Sequence, residues 1–206
     1  MKSSRRTFIG QSAALVGAVC AAGACRRRAT PPAMLWPIPS WSLTDHTGAP
    51  YGSAQLAGRV YVANFIFTRC PTSCPKLTRR MHALTERLRS SGDRVRFVSI
   101  SVDPEWDTPP RLEAYMRRYG ADAARWRFVT GPHEQVLRAI DQGFRVSSGM
   151  NAQPRGSDRD FDAYALAHSN HFALVDAQGR MRGAYSVDEE SGVERLAADV
   201  EALLSS

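Results

Sequence analysis

Two cysteines four residues apart carry the clearest chemical signal in the chain. They lie in the segment Phe65-Ile-Phe-Thr68-Arg-Cys70-Pro71-Thr-Ser-Cys74-Pro75. On helical geometry their Cα atoms would sit about 6 Å apart, within reach of a disulfide. With a helix starting at Pro75, Cys74 is expected beside its amino terminus, where the helix dipole favours a thiolate. The thiolate is the form that binds soft metals and attacks disulfides. Pro71 and Pro75 stiffen the turn between strand and helix.

Several chemistries compete for this pair. Inert buried cysteines are the plain alternative. Zinc fits poorly, because there is no second cysteine pair to complete four ligands. A peroxidase fits poorly too. Peroxiredoxins place Thr three residues before the reactive Cys, whereas Phe67 precedes Cys70 and Pro71 precedes Cys74 at that distance. Two thiolates with one imidazole suit Cu(I), which accepts low coordination numbers. Five histidines could supply the imidazole. His46 falls in an early turn, His82 on the polar side of a helix and His133 in a first helical turn. Each of these three reads as solvated. His168 and His171 precede a strand, where a loop can carry them over the end of a sheet.

The elements around the pair follow from hydrophobic pattern. Val60–Phe67 is a continuous apolar run, the signature of a strand buried on both faces. From Pro75, residues Leu77, Met81, Leu84 and Leu88 form one helical face, and Ser90-Ser91-Gly92 ends it. Val95–Val102 is a strand. Thr108 and Pro109 open a helix carrying Leu112, Tyr115, Met116 and Tyr119, and Gly120 closes it. Trp126–Thr130 is a strand, Val136–Ile140 a short helix closed by Gly143, and Phe144–Ser148 a further strand. Residues 149–161 read as a polar surface loop. Tyr164–His168 and Phe172–Asp176 are strands. Met181–Tyr185 returns as a hairpin across the Ala177-Gln-Gly179 turn. Val193 to Leu204 forms a last amphipathic helix. Strand–helix–strand–helix followed by a hairpin and a helix is an α/β order, a thioredoxin-like fold with a mixed central sheet flanked by helices.

Composition bounds the class. The chain has 206 residues, 43% hydrophobic and 23% charged, enough for one globular core and unlike a disordered or collagen-like chain. Four cysteines are too few for a disulfide scaffold. No apolar run reaches the roughly 18 residues that a transmembrane helix needs. The net charge of +7 is concentrated at the amino terminus. Without residues 1–24 it falls to +4, and Arg26–Arg28 carry three of those charges. A body near +1 does not suggest a nucleic-acid protein.

Residues 1–24 read as an export signal. Ser4-Arg5-Arg6-Thr7-Phe8-Ile9 is twin-arginine-like, and Ala22-Gly23-Ala24 offers a cleavage site. Cys25 follows as a candidate lipid attachment site beside the basic run, which could rest on anionic headgroups. Residues 25–40 are then the anchor and a Pro-rich linker, and 41–206 the folded domain. The address places that domain on the periplasmic side of a bacterial cytoplasmic membrane, an oxidising compartment.

The chain resembles the SCO/SenC family of thioredoxin-fold copper chaperones over about residues 36–204. The matching motifs are Phe67 to Pro75, then Ser101-Val-Asp103-Pro104-Glu105-Trp-Asp107-Thr108-Pro109, and Ala167-His168-Ser169 running into Phe172 to Gly179. The resemblance implies that Cys70, Cys74 and His168 hold copper, as Cu(I) and also as Cu(II). It implies a partner, the binuclear copper site of a cytochrome c oxidase subunit. It departs from the family's frequent pattern at Ala167 and Thr72, where many members carry Asp. His171 would point to the opposite face from His168 in an extended strand. Asp103 and Asp107 read as shaping the turn before Thr108. A second function remains open: a thiol–disulfide reductase, with Cys70 and Cys74 as the redox pair and a separate reductant to reset it. A third is an anchored structural domain with inert thiols.

Overall fold

A computed structural model describes residues 30–145 and 170–206. The export signal, Cys25, the 149–161 loop, the 164–168 strand and His168 lie outside the described residues.

The core is a mixed sheet. β1 (Trp36–Pro37), β2 (Ser42–Asp45) and β3 (Pro50–Gly52) precede a short α1 (Ser53–Leu56). Next come β4 (Val60–Ile66), α2 (Ser73–Arg87), a 3-10 turn and β5 (Val95–Ser101). α3 (Pro109–Arg118), β6 (Trp126–Thr130) and α4 (His133–Arg138) follow, then a π-helical turn over Ala139–Phe144. β7 (His171–Val175), β8 (Arg180–Ser186) and α5 (Glu190–Ser205) complete the described chain. The strand order is β1-β8-β7-β4-β5-β6-β2-β3. β4, β5 and β6 are parallel, as expected of two successive crossover helices, and the remaining pairs are antiparallel.

β4 sits in the middle of the sheet, and all seven of its residues are buried. That is why its sequence is apolar without alternation. Its one polar residue, Asn64, accepts from Ser99 Oγ at 2.7 Å, and Ser99 accepts from Trp126 Nε1 at 2.9 Å. α5 packs on β4 and β8, α2 on α5, and α3 on β6.

Three elements differ from the pattern reading. α2 starts at Ser73, not Pro75. Pro75 is tolerated at the third helical position because that N–H has no intrahelical acceptor. Trp36–Pro37, inside the Pro-rich stretch, pair with Met181 and Arg180, and Trp36 Nε1 donates to the Gly143 carbonyl. Phe144 ends the π-helical turn rather than starting a strand, and packs edge-on against Phe65 at 5.2 Å. The helix therefore runs one residue past Gly143, its expected stop, before Arg145 turns left-handed.

Candidate metal centre

β4 delivers the chain to the site, and α2 receives it. Between them the backbone turns through Phe67–Thr72, with Cys70 N–H donating to the Phe67 carbonyl at 3.2 Å. Cys70 and Cys74 are both unlinked and buried, at 6% and 1% exposure, so Cys70 is the more accessible sulfur.

The two sulfurs have different partners. Cys74 N–H donates to Cys70 Sγ at 3.4 Å, and Ser73 Oγ lies 3.4 Å from the same sulfur. Phe67 N–H donates to Cys74 Sγ at 3.4 Å. Because α2 begins at Ser73, Cys74 N–H is one of the orphan donors of its first turn. Cys70 thus occupies the anion position at the helix end. This corrects the expectation that the dipole would favour a thiolate at Cys74. The Cys70 thiol is held well below the usual thiol range, chiefly by the hydrogen bond from the Cys74 side chain. Burial opposes this, and Ser73 and the backbone N–H groups of Cys74 and Thr72 add to it. Cys74 is pushed up by that same bond and then by burial. Of the two sulfurs, the surroundings favour the charge on Cys70 and the proton on the more deeply buried Cys74.

A second layer fixes the turn. Asp107, fully buried, accepts from Thr68 N–H at 3.0 Å, from Thr68 Oγ1 at 2.5 Å and from Ser101 Oγ at 2.6 Å. Burial raises its carboxyl pKa, and the Ser101 and Thr68 donors pull it back. Asp103, also buried, pairs with Arg69 Nε at 2.6 Å. The arginine extends across the exposed Trp106 ring, 5.3 Å from its centroid. Asp103 and Asp107 therefore do more than shape the turn before Thr108: they grip the two residues that precede Cys70. Sequence reasoning missed Thr68, Ser101 and Phe67 N–H as parts of the site. The Asp-x-x-x-Asp spacing was visible, but not its reach of 39 residues back to Thr68.

The histidines separate clearly. His46 is not solvated. It is 4% exposed, with its backbone N–H on the Phe128 carbonyl and Nδ1 without a hydrogen-bond partner among the described residues. It lies at the end of the β2–β6 pairing, which a turn-like sequence context did not reveal. His133 is exposed and His82 half-buried. His171 is exposed at the first position of β7, two residues from the β4 pairing register. Among the described residues no group of three His, Cys, Asp or Glu side chains could hold a metal. The cysteine pair therefore needs a ligand from elsewhere if it is to bind one in three-fold coordination.

Comparison with known proteins agrees with this arrangement. The SCO1/SenC family model matches residues 37–205. A SCO1/SenC family lipoprotein from Bacillus anthracis str. Ames is 30% identical, with a TM-score of 0.68 over 82% of this chain and 95% of that one. BsSco is described as a member of the Sco family of cytochrome c oxidase assembly proteins with a disulfide switch. It is 24% identical, with a TM-score of 0.68 over 87% of this chain and 99% of its own. Bradyrhizobium japonicum ScoI, solved with copper bound, is 24% identical, with a TM-score of 0.65 over 81% and 98%. A match along nearly all of the folded chain, on a thioredoxin-like sheet with the cysteine pair at the end of its central strand, makes this protein a member of the SCO1/SenC family.

Proposed function

We propose that this protein is a copper chaperone. It carries copper on Cys70, Cys74 and His168 and delivers it to the binuclear copper site of a cytochrome c oxidase subunit. The observation that carries this reading is the reduced cysteine pair, with both sulfurs at the foot of α2 and backbone donors on each. Soft thiolates with an imidazole are the donor set that Cu(I) prefers. The copper held by ScoI and the oxidase assembly role stated for BsSco support the same reading. Release proceeds by ligand exchange, with acceptor groups replacing the protein's ligands one at a time. Cys70, the more accessible sulfur, exchanges first, and Cys74 follows. A Cys70–Cys74 disulfide cannot bind copper, so a reductant must keep the pair open.

The working location is the periplasmic side of the cytoplasmic membrane, reached by the twin-arginine-like signal and kept by a lipid on Cys25. The lipoprotein relative supports an anchor of this kind, and among the described residues no helix is long and apolar enough to cross a membrane.

A second reading, thiol–disulfide reductase, is favoured by one observation: the less deeply buried sulfur, Cys70, receives the helix-end donors of Cys74 N–H and Ser73, while Cys74 lies behind it at 1% exposure. Cys70 thiolate would attack a partner disulfide and release one partner thiolate. Cys74 would then attack Cys70 Sγ, release the second partner thiol and leave the Cys70–Cys74 disulfide.

The test of the chaperone is anaerobic Cu(I) titration of the reduced domain against a chromogenic Cu(I) chelator. One competitive copper per chain, abolished by Cys70→Ser and by Cys74→Ser, is expected. No competition by the wild type refutes the chaperone and leaves the reductase.

A further inference from the structure

The dithiol is built from two consecutive peptide units, and each is held from the far side by a different group. In the Ile66–Phe67 unit, the carbonyl accepts from Val102 N–H at 2.8 Å while the N–H donates to Cys74 Sγ at 3.4 Å. In the Phe67–Thr68 unit, the carbonyl accepts from Cys70 N–H at 3.2 Å while the N–H donates to Asp107 Oδ2 at 3.0 Å. A peptide unit is planar, so its C=O and N–H point in opposite directions. Fixing one end aims the other. The β5 end and Asp107 thereby aim one donor at Cys74 and one acceptor at Cys70.

Asp107 touches neither sulfur in any hydrogen bond of the structure. Among the described residues it has no ion-pair partner within 4 Å, and it lies wholly out of solvent. An uncompensated buried carboxylate is a costly feature to retain unless its acceptors are used. Among the described residues they are used on Thr68 and Ser101.

We infer that Asp107, acting through Thr68, is a positioning residue that holds the Cys70–Cys74 pair in its reduced, metal-accepting geometry. This rests on the reading that the dithiol is the working site. Without Asp107 only Cys70 N–H holds the Phe67–Thr68 plane, and the turn that sets Cys70 Sγ against Cys74 N–H loosens. The reduced pair loses the worth of about one hydrogen bond, and the disulfide loses little.

The experiment is a redox titration of the folded domain against dithiothreitol. In it the Cys70–Cys74 bond forms as the oxidised reagent takes two electrons and its own S–S bond breaks. Asp107→Asn is compared with the wild type. We expect oxidation to be favoured about five- to tenfold, the net worth of one hydrogen bond. That corresponds to a midpoint about 20 to 30 mV more negative. Thr68→Val, which removes only the hydroxyl contact, should shift it in the same direction by less. Thr68→Ser keeps the hydroxyl and should match the wild type. The double variant Asp107→Asn with Thr68→Val should shift no further than Asp107→Asn alone. If Asp107→Asn does not fold, the Thr68 pair decides. An unchanged midpoint with a lowered melting temperature would mean that Asp107 is structural only, and would overturn the inference, as would a shift toward a less negative midpoint. Cu(I) binding by the wild type is measured beside it. Its absence would remove the chaperone reading while the redox shift still decides the role of Asp107.

Discussion

The asymmetry of the two sulfurs makes a sharp prediction about pH. Cys70 is the less deeply buried member of the pair and accepts from the Cys74 side chain, Ser73 and backbone N–H groups at the head of α2. Its thiol is therefore ionised across the near-neutral range. An ordinary thiol with a pKa of about 8.5 gains thiolate roughly 700-fold between pH 5 and pH 8. Cys70 should gain less than about twofold over that range, because it starts almost fully ionised. The absolute rate is a poor test: a low pKa also lowers intrinsic nucleophilicity, with a Brønsted slope of about 0.4–0.5. The shape of the profile is the test. The assay is anaerobic alkylation with iodoacetamide from pH 5 to pH 8, with peptide mapping to assign the site. Cys70 should be modified first, at a rate nearly flat with pH, and Cys74 should be protected by burial. In Cys74→Ala the largest cause of the low pKa is gone, and the Cys70 rate should rise with pH inside the same window. A tenfold rise per pH unit for wild-type Cys70, or first modification at Cys74, would refute the reasoning.

Two further predictions concern the frame that carries the site. Burial lowers the folded-state pKa of His46 below its ordinary value of 6.5, against the opposing pull of Asp45. The unfolded chain therefore binds this proton first as pH falls. The His46 contribution to stability is complete above about pH 6.5 and is lost as pH drops toward the folded pKa, at no more than about 1.4 kcal/mol per pH unit. Urea unfolding at pH 7.5, 6.5 and 5.5 should show this loss, and His46→Gln should flatten it; equal slopes would contradict it. Ser99→Ala strips Asn64 Oδ1 of its donor and Trp126 Nε1 of its acceptor inside the sheet. It should cost about 2–4 kcal/mol in urea unfolding, the penalty for two orphaned buried groups, and a loss under about 1 kcal/mol would show that water replaces the hydroxyl.

Much of the fold was legible because its central strands are buried on both faces. Val60–Ile66 has no competing period, so its apolar run identifies it directly, and Val95–Ser101 and Trp126–Thr130 carry β-branched or aromatic residues at most positions. The Asp176–Gly179 turn and the Gly120 stop were also readable, because both glycines occupy the left-handed region that other residues avoid. The start of α2 was not. Pro75 suits the first helical position and the third alike, and a shift of two residues decides which cysteine receives the helix-end donors. His46 looked solvated because its neighbours are turn residues. It follows directly on the pairing of β2 with β6, over 80 residues apart in sequence, and its N–H continues that pairing to the Phe128 carbonyl. Asp107 read as shaping the turn before Thr108 for the same reason: its partner Thr68 is brought to it by the parallel pairing of β4 with β5. The cysteine pair itself was found from sequence, whereas its polarity required the backbone.

Copper, not disulfide exchange alone, is the proposed business of this site, and His168 separates the two. The direct measurement is Cu(I) affinity and dithiothreitol-driven disulfide exchange, both made on wild type and on His168→Ala. The account predicts Cu(I) binding at least about tenfold weaker in the variant, no less than the loss of a ligand's supporting partner costs, with exchange through Cys70 and Cys74 nearly unchanged. Unchanged copper affinity in His168→Ala would contradict the three-ligand site.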